Sequence, residues 1–376
     1  MTSTHICLVS GQPIPNLVPL RMDGLKPDKV VLCVSPDMAV EASRLEEVIS
    51  SWQIAVEKRP VAPYDLTSAR DTFLNLLVEL EAEQVTLNVT GGTKIMAFAA
   101  FEVFRGEEKP ILYVDTQNKR VQLLSPETRM LDFPGVIKVK PYLRSYGQKI
   151  KEDDTDRERV QRHRPVVDAL LNGLPEFEHA LSAMNRLTAP LRDAPTFPVT
   201  KDISSLAAGT RGFEQLTSLF ERHHLLTRTG KTLRFAALDD VKFLSGDWLA
   251  EHVFRLVMGL SPTDVRMGVE VEWDQKGPKP PKNEYDVVFT HGNRLYLIEC
   301  KTKRFDENEE RESDQNLVYK LESLRDAAGG LYGKGMLVSY RPLTDAQKKR
   351  LAANRLEYCD GPSLHTLEDK LKRWVR

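Results

Sequence analysis

Between Asn283 and Lys303 the chain reads NEYDVVFTHGNRLYLIECKTK. Two strand-like runs flank Gly292-Asn293, a dipeptide suited to a two-residue hairpin turn. With those residues as the loop, Asp286 stands opposite Glu299 and Glu284 opposite Lys301, and directly opposed side chains have Cβ atoms about 4.5–5.5 Å apart. The two-residue alternation of strands sets Tyr285, Val287 and Phe289 across from Cys300, Ile298 and Tyr296, so one face is almost wholly apolar. The other face is apolar near the turn and charged at its far end. Two carboxylates at that spacing repel each other unless a cation lies between them, and a hard divalent ion, Mg2+ or Mn2+, suits oxygen ligands. Such an ion polarises a phosphoryl oxygen and holds an attacking water. Lys301, on the same face as Glu299, is placed to orient that water or to neutralise developing charge. An ordinary surface hairpin accounts for a Glu284–Lys301 ion pair, but not for Asp286 facing Glu299.

Around this hairpin, from Phe243 onward, the pattern is a helix (DWLAEHVFRLVMGL), the strands VRMGVEVEW, EYDVVFT and RLYLIECKT, a helix (SDQNLVYKLESLRDAA), a glycine-rich turn and the strand GMLVSY. That predicts a compact mixed α/β unit over 241–376. Gly329, Gly330, Gly333 and Gly335 follow a helix and precede a strand, the reverse of a phosphate-binding loop, so they read as a helix-to-strand turn. The stretch from Pro278 to Lys282 reads as a proline-stiffened loop. Upstream, ICLVS, KVVLCVS, QVTLNV and PILYV alternate with helical spacing at Ala39–Trp52 and Ala69–Ala82, which predicts a doubly wound, mostly parallel α/β sheet over 1–147. Residues 148–164 are charge-dense with no apolar stripe and read as a linker. Residues 165–240 read as a helical connector. Within them FEQLTSLFERHHLLTRTGKTLRF suggests a winged-helix-like helix and hairpin turning at Thr229-Gly230.

The 376 residues exceed what one core usually supports, and 41% hydrophobic with 28% charged residues is the balance of a folding globular chain. Lys plus Arg (53) nearly cancels Asp plus Glu (54), so nucleic acid would have to be met by a local patch rather than a global field. Cys7, Cys33, Cys300 and Cys359 have no paired spacing and read as buried, reduced thiols of a cytoplasmic protein. No basic-then-apolar leader and no run of about 18 apolar residues argues for secretion or membrane insertion. His223-His224 are adjacent rather than four apart and do not read as metal ligands. The basic, amphipathic LEDKLKRWVR is expected to pack on the C-terminal core rather than on a membrane.

After the strand QVTLNV come Thr90-Gly91-Gly92-Thr93-Lys94 and an apolar helix, an order that puts backbone N–H groups, two hydroxyls and a lysine at a helix N-terminus, where an anion is favoured. Loops after two other strands open on the same edge of the sheet: Ser10, Gly11, Gln12, Pro13 with Ile14 and Asn16, and Ser35 to Met38. Open α/β sheets bind ligands at that edge.

Three motifs occur together in the C-terminal unit: G-x-W-L-x-E from Gly246 to Glu251, N-E-x-D from Asn283 to Asp286, and E-C-K from Glu299 to Lys301. With N-V-T-G-G-T-K in the N-terminal unit, the chain resembles the CRISPR-associated Rossmann-fold (CARF) effectors of type III CRISPR systems that carry a PD-(D/E)xK nuclease domain. The resemblance covers roughly 1–145 and 240–345. It implies a Rossmann-like sensor and a restriction-endonuclease-like domain whose metal is held by Glu251, Asp286, Glu299 and the Cys300 carbonyl, with Lys301 catalytic. Glu284, Gln315, Tyr319 and Lys320 would stand near substrate. It further implies a homodimer whose sensor loops, the residues named above, bind a cyclic oligoadenylate, most often cyclic tetra-adenylate. That binding would switch on metal-dependent cutting of DNA, RNA or both in antiviral defence. The competing expectation is a nucleotide-responsive transcription regulator working through the winged-helix-like segment. A HEPN-type ribonuclease would rest only on Arg157 and His163, which fall in the charged stretch.

Overall fold

The computed structural model describes residues 2–207, 209–274, 280–302 and 310–376. In the N-terminal half, β1 (Ser3–Leu8), β2 (Lys29–Val34), β3 (Ala55–Pro60), β4 (Gln84–Asn88), β5 (Ile111–Asp115), β6 (Arg120–Ser125) and β7 (Arg129–Leu131) form one sheet in the order β3-β2-β1-β4-β5-β6-β7. The first five are parallel and the last two antiparallel. Side-chain alternation sorts the two faces. Ile6 and Leu8 pack with Phe73 and Met96, from helices Leu66–Glu79 and Lys94–Gly106, while Cys7 packs with Leu45 and Ile49 of helix Ala39–Ser50. The side chains of Asp65 and Thr93 cap the first two of these helices by accepting the Ser68 and Met96 N–H groups.

The charged stretch is not a linker. Gln148–Asp153 forms β8, and Arg157–Asn172 forms a helix capped by Asp156. Most of its charges sit on an edge strand and on the outer face of the helix, where no apolar stripe is needed, while Arg159 and His163 turn inward. Val160, Val166, Val167 and Leu170 supply the buried side. Strand β8 is an edge of the second sheet, which contains β12 (Asp264–Trp273), β13 (Lys282–His291), β14 (Arg294–Lys301), β15 (Lys334–Ser339) and β16 (Glu357–Asp360) in the order β16-β15-β14-β13-β12-β8. Between β8 and β12 in sequence lie helix Leu174–Thr188, helix Phe213–Arg222 and a small sheet of β9 (Val199–Asp202), β10 (Thr227–Thr229) and β11 (Thr232–Phe235). Thr229 pairs with Thr232, so the hairpin turns at Gly230-Lys231, one residue later than the sequence suggests.

One apolar cluster joins the sensor sheet to the second sheet, running from Leu45 and Ile49 through Tyr142 and Leu143 to Val288, Leu297 and Leu321. The tip of the β13–β14 hairpin is anchored in it. Gly292 and Asn293 have φ of 54° and 57°, and the buried Asn293 side chain accepts the Val136 and Ile137 N–H groups and donates to the Pro134 carbonyl. Arg294 reaches back to the Gln117 carbonyl in the β5–β6 turn. Arg144 adds ion pairs with Glu47 and Asp274. Among the described residues no helix is long and apolar enough to cross a membrane. All four cysteines are free thiols, three buried and Cys300 half-buried.

Candidate active site

Strands β13 and β14 pair from His291–Arg294 to Val287–Ile298, the register the turn dipeptide dictates, and then part. Beyond that point β13 stays with β12 as far as Lys282, and β14 stays with β15 until Lys301 pairs with Ser339. Asp286 and Glu299 sit at the fork. Asp286 Oδ2 accepts the Cys300 N–H at 2.6 Å, and Lys301 Nζ lies 2.6 Å from Glu299 Oε1. No ion pair joins Glu284 to Lys301 among the described residues, because the ladder has opened before reaching them. In a strand the N–H and C=O of one residue point to the same side, so the Cys300 carbonyl is aimed into the gap that holds Asp286.

One face assignment differs from the sequence reading. Val287 and Phe289 pack with Tyr296 and Ile298, but Tyr285 packs in the opposite cluster with Val269 and Val271, its hydroxyl donating to Gln148 Oε1. The alternation slips at the Asp286 level because Gly268, bracketed by the Met267–Val287 and Val269–Tyr285 pairs, takes a φ of 57°.

Electrostatics mark the fork. Burial, then the Glu299 charge, raises the Asp286 carboxyl well above the usual carboxylate range against the pull of Lys301. Burial alone would lower the Lys301 ammonium, but Glu299 and Asp286 outweigh it and hold it above its ordinary value. Asp247, opposite on the cleft wall, is pushed up to about 6 by burial while Arg192 pulls it down. Asp286, Lys301 and Asp247 line a cleft of about 670 Å³ together with Glu251, Glu284 and Cys300, with Glu299 buried behind Lys301.

Glu251 is only 2% exposed, on helix Trp248–Met258, and its oxygens are already engaged. His163 Nδ1 lies 2.9 and 3.1 Å from them, and Arg159 Nε lies 3.4 Å from one. Among the described residues no three His, Cys, Asp or Glu side chains form a group able to hold a metal. Asp286, Glu299 and the Cys300 carbonyl are the oxygen donors that could hold a hard divalent cation here, with waters completing its shell. Lys320 and Tyr319 are exposed and do not line the cleft, and the Gln315 side chain lies outside the described residues, as do Pro278 and Lys279 of the proline loop.

In the sensor, the loops after β1 and β4 touch. A Cβ on Gly91 would fall 2.0 Å from the Leu8 carbonyl oxygen, so only glycine admits this approach. Both hydroxyls of the phosphate cradle are engaged internally. Thr90 Oγ1 donates to Asn88 Oδ1 and accepts the Val114 N–H, and Thr93 Oγ1 donates to the Pro63 carbonyl. Thus the backbone around Gly91 and Gly92 and the exposed Lys94 remain to meet an anion. Ile14 and Asn16 are buried, with Asn16 bonded to the Leu8 carbonyl and to Asn88. They shape the loop from beneath, as Pro13 does, while Ser10, Gly11, Ser35 and Met38 rim the edge with varying exposure. Gln12 points elsewhere: its Oε1 accepts the Tyr146 hydroxyl and the Leu331 N–H, across to the second domain.

The comparisons with known proteins follow this division. Residues 4–142 match the model of the Card1 CARF domain and residues 238–376 that of the Card1-like endonuclease domain. The chain is a CARF effector nuclease. This effector superposes on protein VC1899 from Vibrio cholerae with a TM-score of 0.89 at 24% identity, over 99% of the chain and 98% of that one, which establishes a shared fold. Can2 from Sulfobacillus thermosulfidooxidans, solved in complex with cyclic tetra-adenylate, matches at 27% identity and a TM-score of 0.78 over 100% and 99% of the two chains. A type III CRISPR defence DNA nuclease activated by cyclic oligoadenylate shares the fold at 18% identity and a TM-score of 0.60, covering 99% of the effector but 52% of that chain. No curated protein sequence matches it.

Three residues around the candidate site were given no part in it by the sequence reading. Arg159 and His163 meet Glu251 from 92 and 88 positions away, a pairing that no local pattern signals. Asp247 stood inside a quoted motif, and its place one turn before Glu251 was the available cue.

Proposed function

We propose that this effector cuts nucleic acid at the fork of β13 and β14, with Asp286 and Glu299 holding Mg2+ or Mn2+, and that a cyclic oligoadenylate bound by a pair of sensor domains gates the cutting. The observation that carries the reading is the meeting of half-buried Asp286 and buried Glu299 beside Lys301, in a chain whose residues 4–142 match a CARF domain. Two acids this close lack a positive charge between them, and a bound divalent ion supplies Lewis-acid polarisation of the scissile phosphate. The chain's own groups do the rest. The Cys300 N–H fixes the Asp286 carboxylate, leaving its other oxygen directed to the gap. Lys301, held charged by both acids, donates a hydrogen bond to the attacking water or to the charge that develops on phosphorus oxygens. Glu251, held by His163 and Arg159, stands in the wall of the same cleft, where its carboxylate would add negative charge toward a bound cation.

Can2's complex with cyclic tetra-adenylate, and its full-length match at 27% identity, support that ring as the ligand here. Its two-fold symmetry suits an isologous dimer of sensors. The ligand works only if it binds the active arrangement more tightly. Incubation of supercoiled plasmid and labelled RNA with Mn2+ or Mg2+ and cyclic tetra-adenylate tests this. Cutting should disappear in Glu299→Ala and Asp286→Asn while ligand affinity stays at the wild-type level. Wild-type rates in either variant would remove the site from these residues.

A further inference from the structure

The catalytic cleft is a poor receptor for a polyanion by itself. Glu152, Asp153, Asp247 and Glu284 add to Asp286 and Glu251 in its wall, and each cation there is already paired: Arg159 and Lys242 with Asp154, Arg192 with Asp247, and Lys301 with Glu299. Positive charge for the phosphate backbone must come from beside it.

A second cleft of about 1060 Å³ adjoins it, and Thr302, the residue after Lys301, lines both. Its walls belong to helix Leu174–Thr188 and to residues 209–211, and include His179, Arg186 and Arg211. No carboxylate lines it, and neither Arg186 nor Arg211 is ion-paired among the described residues. Arg341, also in the wall, is spent on Glu178. The junction is built to close tolerance. Asn185 Nδ2 donates to Thr302 Oγ1 at 3.3 Å, and a Cβ on Gly246 would fall 2.2 Å from that same oxygen.

We propose that this second cleft is part of the substrate-binding surface, and that Arg186 and Arg211 grip phosphates of the nucleic-acid strand next to the one at Asp286 and Glu299. The proposal rests on the nuclease reading and assigns the connector a role in it. Contacts of this kind position a backbone and carry no sequence information.

The test compares wild type with the Arg186→Ala/Arg211→Ala double variant and with Arg186→Lys/Arg211→Lys. Oligonucleotide cutting is followed across salt concentrations, beside hydrolysis of bis(p-nitrophenyl) phosphate, which reaches the acids without the second cleft. The alanine pair should raise KM about tenfold with kcat little changed and flatten the log–log salt slope by about 1.4–1.8. The small diester should be hydrolysed at the wild-type rate, and the lysine pair should recover most of the loss. An unchanged KM and salt slope in the folded alanine pair would overturn the proposal. Should wild type cut nothing, the nuclease reading fails, and oligonucleotide affinity by fluorescence anisotropy still decides the cleft: weaker binding by the alanine pair upholds it and equal binding overturns it.

Discussion

Asp286 binds its proton more tightly in the folded chain than in the unfolded one, because burial and Glu299 both disfavour its charge. The sign follows from linkage: a group whose folded pKa is raised loses the fold stability as pH climbs through and above the ordinary carboxylate range. Metal-free Asp286→Asn should therefore melt higher than wild type near pH 8 and lose that advantage as pH falls toward about 4, where both carry a neutral side chain. A thermal melt with chelator present checks it, and a wild-type advantage at pH 8 would count against the coupled pair. Because a cation must displace that proton, the rise in melting temperature on adding Mn2+ should be larger at pH 8 than at pH 6. Glu251 makes the neighbouring case. His163→Ala leaves a buried carboxylate short of a partner and should cost about 1–3 kcal/mol by denaturant unfolding, where a surface ion pair would cost far less.

At the scale of elements, the β13–β14 hairpin carries both architecture and chemistry. Its buried tip residue Asn293 satisfies two backbone N–H groups and one carbonyl of segment 134–137. Asn293→Ala should cost about 1–3 kcal/mol for each buried group it leaves unpaired, less what water recovers, seen as a lower denaturant midpoint. The same hairpin shows what the sequence could and could not convey. Gly292-Asn293 sets the register through turn geometry, a local rule, so the meeting of Asp286 with Glu299 was legible. The face of Tyr285 was not, since the slip that moves it originates in Gly268 on another strand. Residues 157–164, the first half of helix Arg157–Asn172, were read as linker because Val160 is their one core apolar residue, and Glu251, which they meet, is remote in sequence. The sensor's strand–helix alternation was plain from period-two and period-3.6 patterns. The fate of the Thr90 and Thr93 hydroxyls depends on Asn88, Val114 and Pro63, which only folding brings near.

For the whole molecule, the hairpin spans the distance between ligand and chemistry. Its tip touches the β5–β6 turn of the sensor through Arg294, and its far end holds the acids. A strand rises about 3.3 Å per residue, so the tip and the Asp286–Glu299 pair are separated by about 20 Å of rigid ladder. A second route runs from the β1 loop through Gln12 to Tyr146 and Leu331. Gln12→Ala should cut the degree of activation by cyclic tetra-adenylate while leaving ligand-free cutting near its wild-type rate, measured as the ratio of rates with and without ligand. If that ratio is unchanged, Gln12 plays no part in the coupling.

The central claim, a nuclease at Asp286, Glu299 and Lys301 governed from the sensor, is tested most directly by one comparison. This is the rate of nucleic-acid cutting by wild-type protein at a fixed Mn2+ concentration, with saturating cyclic tetra-adenylate and without it. The account predicts acceleration by at least about fivefold, the lower end of ordinary allosteric coupling. Equal rates in the two conditions would contradict it.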